Sequence, residues 1–167
     1  MRGFIKNMIK YILAIILIYA SYTLSRRYVA ALYERLEYEI AILEFFEFIR
    51  DKMRATYAPV SKIAALFSSP PLENAGFLPL GAKKNIHSAF LSSEELSRID
   101  REVHEAAASI LSKIGTGDID SELSRLDEGC ACIAARVGFL KEEHKKREKV
   151  ALTLSLGISL GIVILLL

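Results

Sequence analysis

Residues 118–140 read DIDSELSRLDEGCACIAARVGFL. Ile119, Leu123, Leu126, Cys130, Ile133, Val137 and Leu140 follow one another at alternating spacings of four and three. Apolar residues in that rhythm line one edge of a helix, and a run of about three heptads is a coiled-coil seam. The reading predicts a long helix that must lay its seam on another.

The partner lies just upstream. Leu96, Ile99, Val103, Ala106, Ile110 and Ile114 carry a similar pattern, and Ser92 with Glu95 has the spacing of a capping box that opens a helix there. Gly115-Thr116-Gly117 is a tight turn, Gly115 suits a left-handed helix end, and Asp118 can cap the helix that follows. Two seamed helices joined by so short a turn are expected to pair as an antiparallel helical hairpin.

Downstream, no Pro or Gly separates Leu140 from Val150, so the helix is expected to continue into VALTLSLGISLGIVILLL, residues 150–167. Eighteen uncharged helical residues rise roughly 27 Å, close to the hydrocarbon thickness of a bilayer. Lys141, Lys145, Lys146, Arg147 and Lys149 precede them, interleaved with Glu142, Glu143 and Glu148, as a collar at headgroup level. Gly157 and Gly161, four apart, are candidates for close packing against another membrane helix, the chain's own first span included.

That first span is Tyr11–Leu24, with Arg2, Lys6 and Lys10 before it and Arg26 and Arg27 directly after. A signal peptide has the same outline, but large residues (Ile18, Tyr19, Tyr22) interrupt any cleavage site, so an uncleaved anchor is expected. The expected organisation is an N-terminal transmembrane segment (1–25), a helical bundle domain (26–148) and a C-terminal transmembrane helix (149–167). Arg26, Arg27, Arg35 and the collar outnumber the three N-terminal cations, which places the middle domain in the cytosol.

Within that domain, Leu32, Leu36, Ile40, Leu43, Phe46, Ile49 and Met53 predict one long amphipathic helix from Arg26 to about Tyr57. Ala58-Pro59 breaks it, and a short helix is expected from Pro59 to Phe67, ended by Ser68-Ser69-Pro70-Pro71. Leu72 to Gly81 reads as loop, and Ala82 to Phe90 as a short helix. No strand pattern occurs, so the fold class is all-α: a small bundle with a long hairpin, flanked by two membrane helices. About 120 residues between the spans suffice for one domain.

The chemistry-bearing residues are sparse. A net charge of +2 is too small for a nucleic-acid binder. His87, His104 and His144 fall on different expected helices, and His104, between Glu102 and Glu105, reads as part of a solvated face. Cys130 and Cys132 point about 200° apart on a helix, so they share neither a disulfide nor a metal. No nucleophile elbow, phosphate loop or dinucleotide fingerprint is present; the Gly-Thr-Gly-Asp turn joins two helices and lacks the lysine. Catalytic residues, cofactors and metals are therefore not expected. The spans hold no ionisable side chain besides the phenols of Tyr11, Tyr19 and Tyr22, which argues against an intramembrane enzyme.

The order of these features resembles the stage III sporulation protein AB family of endospore-forming bacteria. The resemblance rests on Gly115-Thr116-Gly117-Asp118 with Leu123, on Lys149–Leu167 with Leu156-Gly157, and on Arg26-Arg27-Tyr28 and Ala58-Pro59-Val60. Two positions depart from it: Glu122 stands where the family usually has Gln, and the mid-domain tryptophan is missing, with Ile86 near its place. The resemblance implies a domain similar to the cytoplasmic domains of type II secretion and type IV pilus platform proteins. It implies a non-enzymatic part in a secretion-like channel complex between mother cell and forespore, in the mother-cell membrane facing the forespore. Its partners would be the membrane, other subunits of an oligomeric assembly and, by analogy with secretion platforms, an assembly ATPase, with no nucleic acid. The alternative is a membrane sensor or signalling adaptor that relays through the hairpin.

Overall fold

The computed structural model describes residues 2–78, 85–115 and 117–166, with side chains at 11–60, 62–78, 85–115 and 117–164. Every regular element among them is helical: α1 (Arg2–Thr56), α2 (Val60–Ala64), α3 (Pro70–Asn74), α4 (Ile86–Ser92), a 3₁₀ turn (Leu96–Arg98), α5 (Arg101–Lys113) and α6 (Ile119–Leu166). The all-α expectation holds. Two compact units divide the chain: residues 34–141, and residues 1–33 with 142–167.

In the 34–141 unit the core is built on aromatic rings. Phe45 contacts Phe46, Phe67 and Phe77 at centroid distances of 5.5, 5.4 and 5.3 Å, and Phe77 meets Phe90 at 5.8 Å. Tilted and edge-on pairs of this kind add about 0.5–1.5 kcal/mol each to the area they bury. The ladder joins α1 to α4 through residues that belong to no long helix. Ile42, Ile49, Leu72, Leu96, Val103 and Ile133 of the same unit are buried as well.

Local chemistry explains the breaks. α1 stops where Tyr57 adopts φ 51°, its N–H still bonded to the Met53 carbonyl at 3.0 Å, before Pro59. Pro70-Pro71 starts α3 where a stop was expected, because proline fits the first turn of a helix, whose N–H groups have no partner. α2 is shorter than the expected Pro59–Phe67. α4 begins at Ile86, where the Asn85 side chain accepts from His87 N at 3.0 Å; the expected start, Ala82, lies outside the described residues.

The expected helix opening at Ser92 is replaced by a turn. Ser92 ends α4, and Ser93 Oγ donates to the Ala75 carbonyl at 2.8 Å. The long helix opens instead at Asp100, whose carboxylate accepts from Glu102 N at 3.0 Å. Leu96 and Ile99 are buried as expected, but from the turn. On α5, Val103, Ala107, Ile110 and Leu111 form the buried face, displacing Ala106 from it. The Ile110 side chain lies over Gly129 of α6 so closely that a Cβ there would meet it at 2.3 Å.

Among the described residues, one helix is long and apolar enough to cross a membrane: α1, in its stretch from Tyr11 onward. The expected second span is not among such candidates. An eighteen-residue stretch ending at Ile164 takes in Arg147, Glu148 and Lys149, and Leu167 lies outside the described residues.

Candidate functional site

In the 34–141 unit a charged cluster joins three elements. Heptad-like spacing from Leu36 to Ile42 puts Glu39 on the buried face of α1, and it is 3% exposed. Its Oε1 accepts from the Asp100 N–H at 2.9 Å, while Oε2 is buried without a partner. Arg136 of α6 donates to both Asp100 oxygens, at 3.0 and 2.8 Å, and its guanidinium lies 5.3 Å from the ring centroid of Phe139. The fork-to-carboxylate geometry fixes position as well as charge. Burial pushes the Glu39 carboxyl above its ordinary range, with the Asp100 N–H opposing. The Arg136 hydrogen bond holds the Asp100 carboxyl below its range, and burial opposes it. Arg136 also pairs with Glu102 at 3.4 Å, so the cluster holds two ion pairs and a buried acid; among the described residues no group of three or more His, Cys, Asp or Glu side chains could hold a metal ion. Its chemistry is that of a clamp between α1, the start of α5 and α6. Sequence reasoning passed over it, although Glu39 sits three residues from both Leu36 and Ile42 on an apolar face.

At the turn between α5 and α6, two of the expected residues are described in the parts given to them. Gly115 has φ +82°, and Asp118 Oδ2 accepts from Ser121 N at 3.3 Å; Thr116 lies outside the described residues. Glu122, buried, reaches back to accept from Gly117 N at 3.2 Å. An amide at this position could do the same through its carbonyl oxygen. Along the seam, Leu126, Cys130, Ile133, Val137 and Leu140 are buried and Leu123 is half-buried. Ile119, expected in the seam, is exposed instead: it is the first residue of α6. Cys130 is buried and Cys132 exposed, and burial pushes the Cys130 thiol up to about 11. His104 stacks on Phe90 at 5.0 Å instead of lying wholly in solvent.

The unit of residues 1–33 and 142–167 has its own polar cluster. The Tyr33 hydroxyl donates to Glu148 at 2.7 Å, and the Tyr33 ring meets the His144 ring edge-on at 6.3 Å. His144 is buried and its Nδ1 has no partner; burial lowers its pKa, and Arg147 adds to the effect. Arg147 pairs with Glu143 at 2.7 Å. His144 thus lies buried amid the charged run Lys141–Lys149.

Gly157 and Gly161 are both exposed, and a Cβ on either would meet nothing within 4 Å. Among the described residues, neither is in close contact with the chain's own first helix. Ser159, 1% exposed, is buried in their stead, its hydroxyl donating to the Ser155 carbonyl at 2.6 Å. No protein-family model, curated protein or solved structure matches this chain.

Proposed function

We propose that this protein is a membrane-anchored scaffold whose 34–141 unit is a docking domain, with α6 as well as α1 entering the bilayer and α5 and α6 acting as a helical hairpin. The observation that carries the reading is the reversed surface of the terminal unit. Ile15, Tyr19 and Leu24 on α1 and Leu154, Leu160 and Ile164 on α6 are exposed, while Ser25 and Ser159 are buried. In water that distribution is unfavourable at roughly 25 cal/mol per Å² of exposed apolar surface; in lipid it costs nothing, and small polar residues belong between helices. The charged clamp supports a rigid unit that works through its surface.

The specific setting rests on the sequence resemblance alone. On that basis the scaffold is a non-enzymatic platform component of a secretion-like complex between mother cell and forespore. Its docking unit is cytosolic and binds further subunits, an assembly ATPase among them. Exposed Cys132 gives the topological test: in a Cys130→Ser background, a membrane-impermeant thiol reagent should label Cys132 only from the cytosolic face. Labelling from outside intact cells overturns the orientation. In an endospore-forming host, a deletion strain that sporulates normally overturns the setting.

A further inference from the structure

A groove of about 640 Å³ opens between α1 and α6 within the terminal unit. Leu24, Ser25, Arg27 and Tyr28 line it from α1, and Ala151 and Ile158 from α6. Its size is that of ligand sites, roughly 300–1,000 Å³, and most of its wall is apolar.

Ser21 and Ser155 also line it, the latter with its hydroxyl donating to the Leu152 carbonyl at 2.9 Å, but two other polar groups point to a ligand. Ser25 is 9% exposed and its hydroxyl is buried without a partner. A buried hydroxyl left unmatched is destabilising, so the position favours an acceptor supplied from outside the chain. Arg27 lines the groove, and the ion pairs among the described residues of this unit, Lys145–Glu142 and Arg147–Glu143, leave it out. Arg27 closely follows the apolar run Tyr11–Leu24, the height at which a bilayer presents its headgroups.

An occupant must combine a long apolar part, an oxygen acceptor and a negative charge in that order along the helix. We propose that the groove is a site for an anionic glycerophospholipid. An acyl chain lies along Leu24, Ala151 and Ile158, a glycerol-ester oxygen accepts from Ser25, and the phosphate sits at Arg27. A free phosphate lacks the apolar part, and a second apolar helix lacks the anion. The proposal rests on the reading of α1 and α6 as membrane helices.

The test is lipid retention by the full-length chain in neutral detergent, followed by native mass spectrometry with phosphatidylglycerol and phosphatidylcholine of matched acyl chains. Phosphatidylglycerol should be retained roughly fivefold better, the factor one basic residue supplies near an anionic surface. Arg27→Gln should abolish the preference, lowering phosphatidylglycerol retention more than phosphatidylcholine retention, and Arg26→Gln should leave the preference intact. Ala151→Trp should displace both lipids; if that variant loses its helical circular dichroism, the Arg27 and Arg26 pair decides alone. Equal retention of the two lipids by the unsubstituted chain overturns the proposal. So does an Arg26→Gln effect as large as that of Arg27→Gln, or a lipid-free dimer. Alkaline extraction separates the two levels. A chain stripped from membranes defeats the anchoring itself, whereas an integrated chain with no lipid preference defeats only the groove.

Discussion

Phe45 and Leu24 belong to the same helix, yet Phe45 is 1% exposed and Leu24 72%. The 34–141 unit buries Phe45, Phe46, Phe77 and Phe90 and pairs Asp100 with Arg136. The unit of residues 1–33 and 142–167 turns large aliphatic side chains outward and buries serines. One helix can serve both because helical geometry is indifferent to which face is apolar; the surroundings decide which residues are satisfied. The difference teaches that a run of hydrophobic residues is a core in one solvent and a surface in another.

The comparison breaks most readily at the aromatic ladder. Phe45→Ala should cost the 34–141 unit about 3–5 kcal/mol in denaturant unfolding, by lost burial and the cavity left behind. Leu24→Ala should change stability in detergent by less than about 1 kcal/mol, since Leu24 buries little against protein. Equal losses would erase the distinction between the units.

Next in size is the clamp. Arg136→Met should cost about 3 kcal/mol, because Asp100 then stays half-buried without its cation. Glu39→Gln keeps an acceptor for the Asp100 N–H and removes a buried charge, so it should stay within about 1 kcal/mol at neutral pH. The pH profiles carry opposite signs. Asp100 is depressed, so its contribution is present above its ordinary value of 3.8 and fades as pH falls through the lowered pKa. Glu39 is raised, so its contribution is largest below its ordinary value of 4.5 and fades as pH rises through the elevated pKa. Urea midpoints across that range, with and without each substitution, read both.

A smaller effect belongs to His144. Its pKa is lowered, so the stability it gives is complete above the ordinary 6.5 and is lost as pH falls toward the depressed value. The groups around it are Tyr33 and Glu148, with Glu143 and Arg147 nearby. His144→Leu should flatten the slope of melting temperature between neutral and mildly acidic pH; an unchanged slope would falsify this assignment. The smallest effect is expected at Gly157. Gly157→Leu should leave the monomer's unfolding within about 0.5 kcal/mol, since nothing lies against it. Chemical crosslinking of that variant tells whether a second copy uses the open face.

Much of the helical plan could be read from residue spacing. The seam from Leu126 to Leu140, the turn at Gly115 and Asp118, and the end of the first helix before Pro59 follow from periodicity and backbone chemistry that act within a few residues. The boundaries that moved did so for local reasons with two solutions. Ser92 and Asp100 are both good caps, and Asp100 prevails because Arg136, thirty-six residues away, grips the same carboxylate. Pro-Pro can end one helix or start the next. Glu39 and His144 were illegible for a different reason: a charged or polar residue on a mixed face reads as solvated until the elements that cover it are known.

The sequence by itself determined that this chain is helical, where its long seam runs and that its ends are apolar, because these depend on side-chain type and on spacings of three and four. Only the tertiary structure decided which polar groups are buried, that Gly157 and Gly161 stand open while Ser159 is enclosed, and that Ser25 and Arg27 share a groove. Those outcomes depend on the rotation of each helix about its own axis. Periodicity leaves that angle open by tens of degrees, and packing against a particular neighbour sets it.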